Sequence, residues 1–362
     1  MIELDKGVDA MKIIHCADLH LDSTMESNLS SAQAKQRREE IYETFAKIVD
    51  YARDNGVKVI IIAGDMFDTK NSQIRIRNRV RDLISAAADI DFLYLKGNHD
   101  SADIFTEAPA NLRTFNDGIT RYSYGNVDIY GSESSSAVYT DLAPERDRLN
   151  IVILHGQTVS GNTVGEGLIN IPALANRNID YLALGHIHSY KCGRIDERGI
   201  YCYSGCLEGR GFDECGDKGF VLLDAERGGI THTFVPFARR RLHDVTVALE
   251  GAMTNNDITS SIDKAVADIP ADDMVKIVLT GEIDEETDID TVYISRLYSE
   301  RFKFVKAYNK TSLLIDYEAY RNDISLKGEF IRLVSEENLD DAEKRQIILT
   351  GLRALAGREI DI

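Results

Sequence analysis

The chain has 362 residues, with 42 Lys+Arg against 60 Asp+Glu and a formal charge of −18. That length suggests two domains and an ample core, and 43% hydrophobic with 28% charged residues excludes a disordered or collagen-like polymer. The acidity argues against nucleic-acid binding through bulk charge. No apolar run is long enough to span a bilayer, and the N-terminus lacks a signal core, so the cytoplasm is the expected compartment.

From Met11 onward, short apolar runs alternate with longer amphipathic ones. Residues 12–18 read as a buried strand and 31–54 as a helix; 57–65 and 72–88 repeat that pair. Strands follow at 92–98, around 122–131, at 149–156 and at 180–188. Continuous apolar strands, each followed by a helix or long loop, predict an α/β sheet buried on both faces. After residue 192 the rhythm changes to short strands and glycine turns, which suggests a second sheet or the far half of a sandwich. Beyond residues 239–243 a small βαβαβ unit is expected, and Leu326 to Gly357 has helical period with Asp340 as its N-cap. The expected domains are therefore 1–238, a capping α/β domain over 239–322, and a C-terminal helical segment over 323–362.

Five cysteines (16, 192, 202, 206 and 215), odd in number and without Cys-x2-Cys spacing, predict free thiols in place of a disulfide framework. Cys202, Cys206 and Cys215 lie close together, but their spacing matches no common zinc pattern.

The chemistry-bearing residues stand just past the strand ends: Asp18-Leu19-His20, Gly64 to Asp68, Gly97 to Asp100, His155-Gly156 and Gly185 to His188. Ligand sites in open α/β sheets gather beyond the carboxyl ends of strands, so these clusters are expected to share one crevice. Five of the eight histidines fall in them, whereas His232 and His243 stand outside and read as ordinary residues. Carboxylate, amide and imidazole donors without a thiolate suit Mn, Fe or Zn. An Asp-x-His pair converges on one ion only if the strand end turns, which the glycines before Asp65, Asn98 and His186 permit.

Read together, DLH…GDMFD…GNHD…HG…GHIH resembles the signature of the calcineurin-like metallophosphoesterase superfamily over residues 12 to about 237. The resemblance implies a two-sheet sandwich flanked by helices, with a dinuclear site at its edge. It implies that Asp18, His20 and His188 hold one metal, that Asn98, His155 and His186 hold the second, and that Asp65 bridges them. His99 resembles the family's catalytic histidine and Asp100 its orienting partner. The opening IIHCADLHLDS, the GDMFD and the C-terminal addition are similar to SbcD-type DNA-repair nucleases, including the YhaO-like branch. That branch implies a DNA exonuclease/endonuclease subunit of an SbcCD-like complex, hydrolysing phosphodiesters with a dinuclear metal-bridged hydroxide. Mn2+ is the foremost metal, with Mg2+, Fe2+ or Zn2+ as alternatives, and the implied partner is an SbcC-type coiled-coil ATPase. Asp68, where some relatives carry a histidine, is a further catalytic position of open role.

The motifs alone do not choose a substrate, so a small-molecule phosphodiesterase or phosphatase stands as the alternative. A non-catalytic scaffold is disfavoured by the complete ligand set. Two basic runs, Lys70, Arg75, Arg77, Arg79 and Arg81, then Arg239, Arg240 and Arg241, suggest DNA phosphate contact or, equally, a solvated helix face and a linker. Apolar stripes at Leu326, Phe330, Leu333 and Val334, then Ile347, Ile348, Leu352 and Leu355, pack on their own domain or dock a partner helix. Homodimerisation stays open.

Overall fold

Successive residues of the first strand point into two different cores, and that period-two division builds the first unit. Ile13 joins Val59, Ile61 and Leu93 in the layer between two sheets. Ile14 joins Ile60, Ile62 and Phe92 beneath helices that contribute Ile41, Phe45, Ile48, Val80 and Ile84. Each such fully buried isoleucine is worth about 1.5–3 kcal/mol. The computed structural model describes residues 10–25, 29–68, 74–100, 105, 107–161, 165, 167–251, 253–284, 287–315 and 317–355. These form two compact units, Met1–Leu242 and His243–Ile362. Lys70 and Gly357 lie outside the described residues.

In the first unit the elements run β1 (Met11–Cys16), α1 (Ser31–Asp54), β2 (Val59–Ala63), α2 (Ile74–Ala86), β3 (Asp91–Leu95), β4 (Leu112–Thr114), β5 (Thr120–Tyr124) and β6 (Val127–Gly131). They continue through α3 (Ser135–Thr140), β7 (Leu149–His155), β8 (Gln157–Val159), β9 (Leu168–Asn170), β10 (Tyr181–Gly185), β11 (Lys191–Arg194), β12 (Ile200–Tyr203), β13 (Gly219–Glu226) and β14 (Gly229–Pro236). One six-stranded sheet has the order β14-β13-β1-β2-β3-β4, the other β11-β12-β10-β7-β6-β5, and β8 pairs with β9. The glycine-rich strands after residue 190 thus form no separate sheet: β11 and β12 extend one sheet and β13 and β14 extend the other. Among the described residues no helix is long and apolar enough to cross a membrane.

The cysteine spacing predicts free thiols, but Cys192 and Cys202 are joined in a disulfide. They face each other across the antiparallel β11–β12 pair. Strand register creates this pair, so a separation of 10 in sequence carries no sign of it. Cys16, Cys206 and Cys215 stand outside the disulfide.

The second unit holds β15 (Leu242–Gly251), α4 (Asn255–Ala265), β16 (Met274–Ile283), α5 (Thr291–Tyr298), β17 (Phe304–Asn309) and β18 (Ser312–Leu313). Their sheet has the order β15-β16-β17, with β18 also on β16, around Val247, Ile258, Ile262, Ile277, Leu279 and Ile294. Then come α6 (Tyr317–Tyr320), α7 (Leu326–Glu336) and α8 (Asp341–Leu355). The helical period expected from Leu326 is interrupted because Glu337 leaves the helix in extended conformation. Asp340 Oδ1 then accepts the Glu343 N–H at 2.8 Å to start α8.

The first unit ends at Leu242, beyond the expected 238, because residues 239–241 are tied back to it. Arg240, 3% exposed, donates to both Glu40 oxygens (Nε 3.0 Å, Nη2 2.8 Å). Arg37 donates to Glu40 at 2.6 Å, to Glu208 at 3.1 Å and to the Gly209 carbonyl at 2.9 Å. Burial opposes ionisation of Glu40, but Arg240 and Arg37 outweigh it and hold the carboxyl at about 2. A depressed folded-state value means a stabilisation that is full above the ordinary 4.5 and is lost as pH falls toward about 2. Glu40→Gln is expected to cost about 3 kcal/mol at neutral pH. In urea unfolding followed by circular dichroism, its gap from wild type should shrink across that pH window; a constant gap contradicts this account.

Candidate metal centre

At the carboxyl ends of β1, β2 and β10 the backbone leaves its ordinary range on the ligand residues themselves. Asp18, His20, Asp65 and His186 have φ of 52°, 44°, 53° and 102°. Left-handed conformations cost non-glycine residues energy and persist where the surroundings impose them. Here Asp18 N donates to Gly64 O (3.0 Å) and His20 N to Asp65 O (3.1 Å), which welds the two strand ends together. Two glycines clear the space. A Cβ on Gly64 would lie 2.1 Å from His155 Nδ1, and one on Gly97 would lie 2.1 Å from Asp65 Oδ1.

Two clusters of donor atoms result, each with its atoms within 4.8 Å of one another: Asp18, His20 and His188, then Asp18, Asp65 and His155. Asp18 belongs to both, while the resemblance assigns the bridging place to Asp65. Asn98 Oδ1 completes the second cluster, 3.0 Å from His155 Nε2. His186 contributes differently. Its N–H donates to both Asp18 oxygens (2.9 and 3.1 Å), and its ring lies edge-on to His155, centroids 5.5 Å apart.

The tautomers follow from the partners. His188 Nδ1 donates to Glu214 Oε1 at 2.6 Å, and His20 Nδ1 lies 3.1 Å from Asp68 Oδ1. The two Nε2 atoms face each other at 3.3 Å. His155 Nδ1 meets Ala63 O (2.9 Å), and its Nε2 faces Asn98 Oδ1 at 3.0 Å and Asp65 Oδ2 at 3.3 Å. Burial disfavours charge on His155, yet Asp65 outweighs it and lifts the imidazole to about 9. The donor set fits a pair of hard or borderline divalent ions.

Glu214 and Arg210 were not legible in the motif pattern. Burial opposes ionisation of Glu214, but His188 and Arg210 hold its carboxyl well below the ordinary range. Arg210 Nη2 donates to Glu214 Oε1 at 2.9 Å, and its Nη1 lies 3.5 Å from Asp68 Oδ1. Asp68, beside His20, sits at about 2 and so orients a ligand. His99, 45% exposed at its side chain, donates its N–H to Asp65 Oδ1 (3.0 Å), and its Nδ1 meets the Asp68 carbonyl at 3.2 Å. Asp100, expected to orient His99, instead accepts the N–H groups of Gly97 (2.9 Å), Phe67 (3.1 Å) and Met66 (3.4 Å). It fastens the two motif loops to each other, and the carbonyl of Asp68 takes the place expected for it.

The basic runs need correction. Arg240 is buried against Glu40 and is removed from the proposed DNA contacts. Arg79 pairs with Glu39 and lies over the Tyr42 ring; Arg81 pairs with Asp82, Arg239 with Glu43 and Arg241 with Asp217. Arg75 is exposed on α2 and Arg77 is partly so.

Outer carboxylates that fix a histidine tautomer typically raise metal affinity about 10–100-fold. Glu214→Gln is expected to weaken Mn2+ binding by that amount in calorimetry while leaving the fold intact. Unchanged affinity contradicts the orienting role.

A model of the calcineurin-like phosphoesterase family matches residues 11–190. The uncharacterized metallophosphoesterase YhaO of Bacillus subtilis is 28% identical over 65% of this chain and 61% of its own length. The DNA double-strand break repair protein Mre11 of Methanosarcina acetivorans is 24% identical over 76% of this chain, which spans 46% of that protein. The Mre11 of Sulfolobus acidocaldarius is 26% identical over 88% of this chain and 91% of its own length. With fold, ligand geometry and family match in agreement, the chain carries a calcineurin-like phosphoesterase domain at residues 11–190.

Proposed function

We propose that the chain is a divalent-metal-dependent phosphodiester hydrolase acting on DNA, the nuclease subunit of an SbcCD-like repair complex. The observation that carries the hydrolase is the pair of adjoining donor clusters beneath the accessible His99. Asp18, His20 and His188 would hold one ion and Asp65, Asn98, His155 and His186 the other, with Asp18 or Asp65 shared. When bound, two divalent cations supply charge neutralisation at a phosphoryl group and a water acidic enough to attack near neutral pH. The chain's own groups do the rest. With its Nδ1 on the Asp68 carbonyl, His99 leaves Nε2 available, and its protonated ring would give that proton to the departing sugar oxygen. Asp68 and Glu214 keep His20 and His188 turned inward, and Asp100 holds the loop that carries His99.

Several features favour DNA. The Mre11 relatives are named for double-strand break repair, and Arg75 offers an exposed guanidinium on α2 for phosphate contact. Of the apolar stripes on α7 and α8, Val334, Ile348 and Leu352 are buried, but Leu326, Leu333, Ile347 and Leu355 remain exposed. That face suits a partner's coiled coil, and we assign it to an SbcC-type ATPase. We take Mn2+ as the working metal and the cytoplasm as the compartment.

The test is Mn2+-dependent cleavage of linear and hairpin DNA beside a nitrophenyl phosphodiester. Hydrolysis of both is expected; cleavage of the ester alone returns the reading to a small-molecule phosphodiesterase. His99→Ala should retain metal, measured by elemental analysis, and lose about 10²–10⁴-fold in turnover. Unaltered turnover contradicts the proton-donor role.

A further inference from the structure

The disulfide lies where edge strands of the two sheets face each other. Cys192 belongs to β11, the edge of one sheet, and Cys202 to its neighbour β12. Across the sandwich stands β14, the edge of the other sheet, and it carries His232. One donor atom from each of the three residues lies within 4.8 Å of the others. Cys202 is fully buried, whereas Cys192 and His232 are half-buried, so the group opens outward on one side. The His232 ring rests against Tyr181 at 6.3 Å, and next to it Tyr190 stacks on Phe234 at 4.4 Å. The metallophosphoesterase centre uses none of these three donors.

Two thiolates and an imidazole form a borderline-soft donor set, which selects Zn2+-class ions over Mn2+ or Mg2+. We propose that the reduced chain carries a second, sulfur-based metal site made of Cys192, Cys202 and His232, and that the Cys192–Cys202 disulfide is its closed form. On binding, one Zn2+ displaces two thiol protons and gains two thiolate bonds and one imidazole nitrogen, leaving a neutral centre with an open fourth position. On closure, the two thiols lose two electrons and two protons to a low-molecular-weight disulfide, which leaves as two thiols. The ion ties one sheet to the other through His232, whereas the disulfide ties only β11 to β12. Because Cys192 follows the ligand His188 by four residues, the change occurs on the strand that the centre's own loop leads into. The three-cysteine grouping of 202, 206 and 215 is replaced by this one. Cys206 Sγ instead points to His188 O (3.5 Å) and Cys215 Sγ to Phe212 O (3.2 Å).

Co2+ titrated into the full, reduced chain tests this. The carboxylate, amide and imidazole donors of the catalytic centre give no sulfur-to-metal charge-transfer absorption, so that band reports on thiolates alone. One equivalent of band is expected, and it should be absent after treatment with oxidised glutathione and restored by a dithiol. Cys192→Ser and Cys202→Ser should each abolish it, and Cys215→Ser should leave it. His232→Ala should weaken Co2+ binding by more than the roughly 10–100-fold that loss of an outer partner costs. A reduced chain without the band overturns the site, as does a band that survives in the oxidised chain or in the double serine variant. If the serine variants do not fold, the reduced and oxidised wild-type chains decide the question alone.

Discussion

Imidazole nitrogens and carboxylates crowded together at the strand ends are the constraint on which the first unit is organised. His20 and His188 present Nε2 to each other, and His155 presents Nε2 to an amide oxygen and a carboxylate. Polar groups gathered this closely away from water are costly to hold, so the surrounding chain must be stiff enough to keep them in place. The stiffness is visible. Parallel register sets β1 beside β2 and β7 beside β10, and backbone hydrogen bonds join the strand ends at Gly64 and Asp65. Left-handed conformations on four of the donor residues then re-aim side chains that a regular strand would send elsewhere.

Charge is managed by the same economy of partners. Residues 250–300 hold 13 acidic and 3 basic residues, so much of the −18 belongs to the second unit. In the first unit, arginines that look like a basic surface in the sequence are engaged by carboxylates folded against them. Glu39, Glu40, Glu43 and Asp217 take Arg79, Arg240, Arg239 and Arg241. The consequence is that these four arginines are engaged within their own fold and form no separate basic surface.

Much of this was legible in the residues. The strand and helix order followed from apolar periodicity, and the location of the donors followed from polar clusters placed after apolar runs. Motif spacing records local geometry, and Asp18, His20, Asp65 and Asn98 are local features of strand ends. What stayed hidden depends on long-range register. Glu214 reaches His188 across 26 residues, and Arg37 reaches Glu208 across 171. Cys192 meets Cys202 only because two strands pair in one register. The role of Asp100 was misplaced for the same reason: adjacency to His99 in sequence suggested contact, while the turn sends its carboxylate to the neighbouring loop's N–H groups.

Arg210 gives the centre a property that no ligand has alone. Its guanidinium reaches Glu214 with one nitrogen and Asp68 with another, and each of those carboxylates orients a different imidazole. The two histidines therefore answer to a single keystone, and their alignment is shared. Any displacement of that guanidinium bears on both carboxylates at once, and so on the imidazoles of both His20 and His188.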